Sequence, residues 1–289
     1  MNRFANSWEV AKQSWAVLRA NPSLAIFPVI SAIGTVLVSI PFLVPVILVA
    51  IGKGQHIPVM GPLGYLLGFL MYAATYSVVV FFNSALVTCA YQNLRGEPAT
   101  PTDGIRNAIK HLPQILGWAL IAATVGQLIR AVQERAGIVG ALLGGLVGLA
   151  WNVTVFFVVP LIVLENLGPV DALKASAARL KRTWGEQLIL NGGMGLVSFL
   201  VVFFPMMAFV ALAVMCFAAN LIVPGIVLIG VGVVFMMSAL VILSCLTTIY
   251  QTALYVYSST GALPYGYSET TIQGAFTQKK PMFGGPIGR

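Results

Sequence analysis

The chain has 289 residues, of which 58% are apolar and only 8% are Asp, Glu, Lys or Arg, and its mean hydropathy is +0.92. Soluble domains carry about 25% charged residues, so this composition excludes a soluble enzyme, a secreted disulfide scaffold and a disordered protein. The net charge is +8. Because the basic residues lie in short segments between apolar runs, we expect them to meet anionic lipid head groups and not nucleic acid.

Uncharged apolar stretches long enough to cross a bilayer, which takes roughly 20 residues per helix, predict an all-α polytopic transmembrane bundle. Six spans are predicted, over Leu24–Gly52, Ile57–Gln92, Ile115–Ile129, Ile138–Leu164, Leu188–Ala219 and Leu221–Ser258. The third is short and crosses the membrane only if its helix begins near Pro113 and reaches Glu134. A turn at Ala219-Asn220 divides the last long uncharged run into two spans.

Three amphipathic helices are predicted on one side of the membrane, over the N-terminal segment, over Asp103–Leu112 and from Pro169 onward. Their apolar faces are, in turn, Phe4, Trp8, Ala11, Trp15 and Leu18; Ile105, Ile109 and Leu112; and Val170, Leu173, Ala177, Leu180 and Trp184. Each helix either lies in the membrane interface, with its basic residues near lipid phosphates, or packs against the ends of the spans. The predicted lipid-binding residues are Arg106, Lys110, Lys174, Arg179, Lys181 and Arg182. Glu165 and Glu186 flank the third helix, and we expect them to pair with its basic residues.

The distribution of basic residues orients the bundle. Thirteen of the sixteen Lys and Arg residues fall on the side of the three amphipathic helices, and only Lys53, Arg130 and Arg135 fall on the other. Positively charged loops stay in the cytoplasm. The sequence therefore predicts a multi-pass protein of a prokaryotic cytoplasmic membrane with both termini in the cytoplasm.

A single membrane domain is predicted over residues 1–258, followed by a cytoplasmic tail over 259–289. The order of amphipathic helix, span and span occurs three times, which predicts a threefold internal repeat with units 1–98, 99–168 and 169–268. Similar segments close the three units, over 81–86, 156–161 and 249–254.

Small residues and prolines mark several spans. Glycines spaced four residues apart predict close helix packing, inside the monomer or between copies of the chain; they are Gly64 and Gly68, and Gly140, Gly144 and Gly148. Prolines within spans are typical of kinked helices, and broken helices are also used to build transporter sites. These prolines are Pro28, Pro41, Pro45, Pro160 and Pro205.

The polar residues predicted inside the spans are Asn83, Asn152, Asn191 and Gln251. Such side chains usually bond across helices. Asn83 and Gln251 occupy similar positions in the first and third units, so we expect them to lie close together near the cytoplasmic end of the bundle.

No ionisable residue occupies the middle of a span, which argues against ion-coupled transport. The sequence contains no nucleotide-binding or metalloprotease motif, and we expect no enzymatic activity, metal or cofactor.

Three strings carry a resemblance to known sequences. They are Arg3-Phe4-Ala5-Asn6-Ser7-Trp8-Glu9, the stretch 115–137, and the stretch 167–187. The chain resembles a family of uncharacterised prokaryotic integral-membrane proteins, catalogued as a domain of unknown function. The resemblance implies a six-span membrane protein and brings no activity or site residues with it.

Two functions fit these features. The leading one is a non-enzymatic scaffold or accessory subunit that associates laterally with anionic lipids and with a membrane-protein partner or further copies of the chain. The second is an uncoupled transporter or channel for an apolar or amphipathic solute, which requires a cavity inside the bundle.

Overall fold

The computed structural model describes residues 3–50, 62–135, 137–183 and 193–276, and these ranges contain no β-strand. The helices are α1 (Arg3–Ala20), α2 (Ile26–Ala50), α3 (Pro62–Leu94), α4 (Pro101–Lys110), α5 (Leu112–Arg135), α6 (Gly137–Thr154), α7 (Val158–Glu165), α8 (Pro169–Thr183), α9 (Gly193–Ala218), α10 (Ile222–Thr260) and α11 (Glu269–Phe276). A short 3₁₀ turn (Pro22–Ala25) joins α1 to α2. The prediction of an all-α helical bundle is confirmed.

Helices long and apolar enough to cross a membrane make this a membrane protein. In the described ranges five such stretches occur, namely Pro22–Ile47, Leu63–Leu94, Leu112–Gln133, Leu143–Glu165 and Ile222–Thr260, and a shorter apolar stretch covers Val202–Ala218 of α9. They coincide with the predicted spans, although the predicted fifth span begins at Leu188, outside the described residues. As required for a crossing, the helix that contains the third span extends from Leu112 to Arg135. The predicted turn lies at Asn220, whose φ of 58° is left-handed.

The buried core lies at one end of the bundle, where α3 and α10 end at Leu94 and Thr260; we call this the packed end. There α3 packs against α4, α5, α7 and α10, while α8 covers α7. The largest fully buried side chains include Trp118, Phe27, Phe157, Leu86, Leu161, Ile249 and Leu254. With 39 residues, α10 is about 58 Å long, so it extends well past a hydrocarbon core of about 30 Å.

Large apolar side chains on α2, α9 and α10 are exposed toward the opposite end of the bundle. Lipid tails are as apolar as these side chains, so their exposure is not costly in a bilayer. The helix α9 packs mainly on α10, and α1 is its other main neighbour. The molecule is therefore tightly packed at one end and open at the other.

The short helices α1, α4 and α8 pack on the bundle through both large and small side chains. Leu18 and Leu180 of the predicted apolar faces are buried, and α1 also buries Val10 and Val17. Their buried small residues include Ser14 on α1, Gly104 and Ala108 on α4, and Ala172 and Ser176 on α8. Several residues of the predicted apolar faces point outward instead: Trp8 is 53% exposed, Trp15 is 43% exposed and Ile109 is 58% exposed. The predicted apolar faces are therefore divided between buried residues and exposed ones.

The helix α4 begins with a capping box. Thr100 accepts a hydrogen bond from the backbone N–H of Asp103, and the Asp103 carboxylate accepts one from the backbone N–H of Thr100 at 3.1 Å. The Thr100 hydroxyl also donates to Asp103 Oδ2 at 2.6 Å. This bond, together with the one from the Thr100 backbone N–H, holds the pKa of the Asp103 carboxyl below its ordinary value. The cap positions the first turn of α4, where Gly104 meets α3.

Candidate functional site

An open cleft of about 900 Å³ lies among α2, α3, α9 and α10. Its walls are Pro28 and Ser31 on α2; Val79, Phe82, Asn83 and Leu86 on α3; Val202, Phe203, Met206 and Met207 on α9; and Leu240, Leu243, Ser244, Thr247, Thr248 and Gln251 on α10. Ligand pockets range from about 300 to 1,000 Å³, so the cleft is large enough to enclose most of a small amphipathic molecule.

The cleft opens sideways. The helices α2 and α9 border it, yet α2 packs mainly on α3 and α9 packs mainly on α10 and α1. Wall residues on both sides, such as Val79, Phe203 and Leu240, remain substantially exposed. In the described part of the chain the cleft is therefore open between α2 and α9.

Polarity changes along the cleft. On α10, Leu240 lies near the middle of the helix and Gln251 lies eleven residues closer to the packed end, a separation of about 16 Å. The polar side chains Ser244, Thr247, Thr248 and Gln251 all fall in the half nearer the packed end. The remaining length is lined by aliphatic, aromatic and methionine side chains. The cleft therefore has a polar end and an apolar end.

Asn83 and Gln251, predicted to lie close together, line the same cleft. The hydroxyl of Thr248 donates a hydrogen bond to Asn83 Oδ1 at 2.9 Å and so links α10 to α3. Thr248 itself is buried. This bond fixes the carbonyl side of the Asn83 amide and leaves its NH₂ group directed to other partners.

Several polar groups of the cleft make no hydrogen bond within the described part of the chain: Ser31, Ser244, Thr247, the amide of Gln251 and the NH₂ group of Asn83. Hydroxyl groups elsewhere in the spans commonly bond to a carbonyl of their own helix. Examples are Ser77 with Ala73 at 2.7 Å and Ser238 with Val234 at 2.9 Å. Thr35 and Ser84 also lack partners, but their oxygens are enclosed by protein. The cleft thus gathers unpaired polar groups that a bound molecule can reach.

No charged side chain belongs to the described lining of the cleft. Nor do the described residues contain a group of three His, Cys, Asp or Glu that could hold a metal ion. Hydroxyl and amide groups can donate and accept hydrogen bonds but cannot neutralise a charge. The described lining thus offers hydroxyl and amide groups beside apolar side chains.

Comparison with models of protein families shows which family the chain belongs to. A family model described as a family of unknown function (DUF6159) matches residues 62–265, which is more than two thirds of the chain. The protein belongs to the DUF6159 family. No curated protein and no solved structure matches it. The DUF6159 match includes three of the four cleft walls, those on α3, α9 and α10, and leaves out α1, α2 and the N-terminal string Arg3–Glu9.

The predicted lipid-binding residues of this DUF6159 protein are divided between exposed and paired positions. Arg106, Lys110, Lys174 and Lys181 are exposed on α4 and α8, and Lys174 also lies 4.0 Å from the exposed Asp171 Oδ1. Arg179 is instead held by Glu165, with the guanidinium Nη2 2.6 Å from Glu165 Oε1. The side chain of Arg182 and the whole of Glu186 lie outside the described residues.

The Glu165–Arg179 pair also involves Tyr255, which the sequence did not single out. The Tyr255 hydroxyl donates to Glu165 Oε1 at 2.5 Å, and the Arg179 guanidinium lies 5.3 Å from the centre of the Tyr255 ring. Partial burial lowers the pKa of Arg179, but its contacts with Glu165 and Tyr255 outweigh that effect and raise it. The cluster joins α7, α8 and α10 at the packed end, so we assign it a structural role.

The predicted packing glycines differ in their surroundings. Gly140 is buried, Gly144 lies against Gln133 of α5, and Gly64 is half-buried near the start of α3. A Cβ atom on Gly68 or Gly148 would meet nothing within 4 Å. Close packing inside the monomer therefore involves Gly144, whereas self-association through Gly68 or Gly148 stays a prediction.

Two further polar residues were predicted inside the spans. Asn152 is exposed on α6, and Asn191 lies outside the described residues.

Of the prolines inside spans, Pro160 alone accompanies a break in the described helices, between Thr154 and Val158. The helices α2 and α9 continue through Pro41, Pro45 and Pro205. At the break, the Ser176 hydroxyl donates to the Thr154 carbonyl at 2.6 Å and accepts from the Phe157 N–H at 3.1 Å. The freed backbone groups are thus satisfied by α8, and the break lies apart from the cleft.

Proposed function

We propose that this DUF6159 protein binds an apolar or amphipathic molecule in the cleft among α2, α3, α9 and α10 and exchanges it with the surrounding bilayer, without coupling to ions and without catalysing a reaction. The observation that carries the proposal is the set of unpaired polar groups at one end of an otherwise apolar cleft. Polar groups left without partners in an apolar environment cost free energy. A ligand that bonds to them recovers that cost.

The absence of charge from the described lining supports exchange without ion coupling. Proton and ion pathways through a membrane normally use ionisable side chains inside the bundle. The sideways opening supports uptake from the lipid phase and not from water. These features favour a carrier or binding protein over a water-filled channel.

A cleft-filling substitution is expected to remove the ligand. Ser244→Phe places a large ring in the cleft, whereas Ser238→Phe places the same ring on the exposed side of the same helix, outside the cleft. Native mass spectrometry of protein purified from its own membranes in mild detergent is expected to show a bound amphiphile. Ser238→Phe should retain it and Ser244→Phe should lose most of it.

The proposal fails if the unmodified protein carries no specific small molecule, or if the two variants retain it equally. Exchange without coupling is checked in vesicles containing the purified protein. A proton or sodium gradient is expected to leave the rate of exchange of the identified ligand unchanged.

We also propose a location in a prokaryotic cytoplasmic membrane with both termini in the cytoplasm, on the basis of the thirteen-to-three distribution of basic residues. A phosphatase that is active only outside the cytoplasm, fused after Arg289, is expected to be inactive. A fluorescent protein that matures in the cytoplasm, fused at the same position, is expected to be bright. The opposite pair of results contradicts this orientation and moves the packed end to the outer face.

A second proposal concerns the membrane surface. The exposed basic residues Arg106, Lys110, Lys174 and Lys181 lie on helices whose exposed sides also carry Ile109 and Val170. Basic and apolar residues side by side suit a helix at the level of anionic lipid head groups. A role as a scaffold or accessory subunit, with another membrane protein or another copy as partner, rests on these surfaces and stays a prediction.

A further inference from the structure

We infer that the ligand of the cleft is an uncharged, single-chain amphiphile whose hydrogen-bonding head lies toward the packed end and whose apolar tail points to the middle of the bundle. This inference rests on the proposed function and adds the ligand's chemical class and its orientation.

The head is identified by the groups available to it. Ser31, Ser244 and Thr247 each offer a hydroxyl that can donate or accept, Gln251 offers both sides of an amide, and Asn83 offers its NH₂ group. This mixture suits hydroxyl, ester or carbonyl groups. A phosphate or carboxylate would need a Lys or Arg nearby, and the described lining has none. A charge placed here without a partner is strongly disfavoured.

The tail is identified by the other end of the cleft. Val79 and Leu240 line it from α3 and α10, and Met206 and Met207 line it from α9. Methionine side chains are flexible and adapt to tails of varied shape. The distance of about 16 Å between the levels of Leu240 and Gln251 is close to the depth of one leaflet, which is half of a hydrocarbon core of about 30 Å. A molecule of the size and orientation of a single-chain lipid therefore fits lengthwise.

The sideways opening gives the same orientation. A lipid that moves from the bilayer through the gap between α2 and α9 keeps its tail in the apolar phase throughout. Its head stays at the level of the polar side chains near the packed end, so entry requires no inversion of the molecule. The ligand is thus drawn from the leaflet that surrounds the packed end.

Two photoactivatable probes test the inference. They are a monoacylglycerol and a lysophosphatidic acid that carry the same diazirine-labelled acyl chain, each added to the full-length protein in nanodiscs of phosphatidylcholine. Labelled residues are mapped by mass spectrometry. We expect the monoacylglycerol to label α9 and α10 at cleft residues such as Met206 and Leu240, at least about tenfold more than the phosphorylated probe, because only the latter brings a charge to the cleft.

The variant Gln251→Leu tests the orientation. In the described structure Gln251 makes no hydrogen bond to protein, so its replacement should not impair folding. It should reduce labelling by the monoacylglycerol roughly three- to tenfold, the effect of one lost hydrogen bond. Ser238→Leu, on the exposed side of α10, should leave labelling unchanged and serves as the control.

Each result decides one point. Equal or stronger cleft labelling by lysophosphatidic acid overturns the uncharged head and leaves the proposed function standing. Unchanged monoacylglycerol labelling in Gln251→Leu overturns the orientation. If neither probe labels the cleft above the lipid-facing surface of α10 at Val227, an exposed residue, and Ser244→Phe has also lost no native ligand, the proposed function fails with it.

Discussion

Gly104→Ala is expected to destabilise the protein by about 3 kcal/mol, near the upper end of the usual cost of overpacking. A Cβ atom on Gly104 would lie 2.6 Å from the carbonyl oxygen of Ala85 and 2.7 Å from Cys89 Sγ. The nearer atom belongs to the backbone of α3 and cannot rotate away, so α4 must move off α3. The free energy of unfolding, measured by SDS titration of the detergent-solubilised protein, checks this.

Gly145→Ala is the matched control, because a Cβ atom there meets nothing within 4 Å. Alanine is the better helix former, so this variant should be as stable as the unmodified protein or slightly more so. Similar unfolding free energies for the two variants would show that α4 does not pack on α3 as described.

Ser176→Ala is expected to cost about 2–6 kcal/mol, since it removes hydrogen bonds from two backbone groups at about 1–3 kcal/mol each. Ser176 is fully buried, and its hydroxyl bonds both to the Thr154 carbonyl and to the Phe157 N–H at the break between α6 and α7. No water or lipid head group can readily replace it there. The same SDS titration measures the loss, and limited proteolysis near the break should become faster.

Ser238→Ala is the control for this substitution. Its hydroxyl is exposed and bonds only to the Val234 carbonyl of its own helix, so its removal should change stability by less than about 0.5 kcal/mol. A small effect for Ser176→Ala, equal to that of Ser238→Ala, would contradict the bridging role of the Ser176 hydroxyl.

The helices and most of their ends could be predicted from the sequence, because the length of an apolar run and its flanking charges are local properties. The extension of the third span from Leu112 to Arg135 followed from Pro113 and Glu134. The inward faces of α1, α4 and α8 could be predicted only in part: Leu18 and Leu180 of the predicted stripes are buried, but other stripe residues are exposed. In water an apolar stripe must face protein, but at a membrane it can equally face lipid, so Ile109 and Trp15 gave no indication that Gly104 and Ser14 pack inward.

The candidate site was predictable only in part. Asn83 and Gln251 were singled out because polar residues are rare in spans, and both line the cleft. Ser31 and the α9 wall, including Phe203 and Met206, could not be predicted. A cleft exists where two helices do not pack against each other, and that depends on how α2 and α9 are placed by their other neighbours. The spacing of apolar residues within α2 or α9 does not indicate how these two helices are placed relative to each other.

The position of α10 in the core also determines when the protein can mature during synthesis. The buried face of α3 around Leu86 is completed by α10 around Leu254, 168 positions later in the chain. Translation of this length takes roughly ten to thirty seconds at about 5–20 residues per second. Until the hairpin of α9 and α10 is inserted, Asn83 lacks the hydrogen bond from Thr248 and the buried face of α3 is incomplete. Earlier segments must therefore wait in the membrane or with an insertion factor, and a chain cut short before residue 245 lacks one wall of its own core.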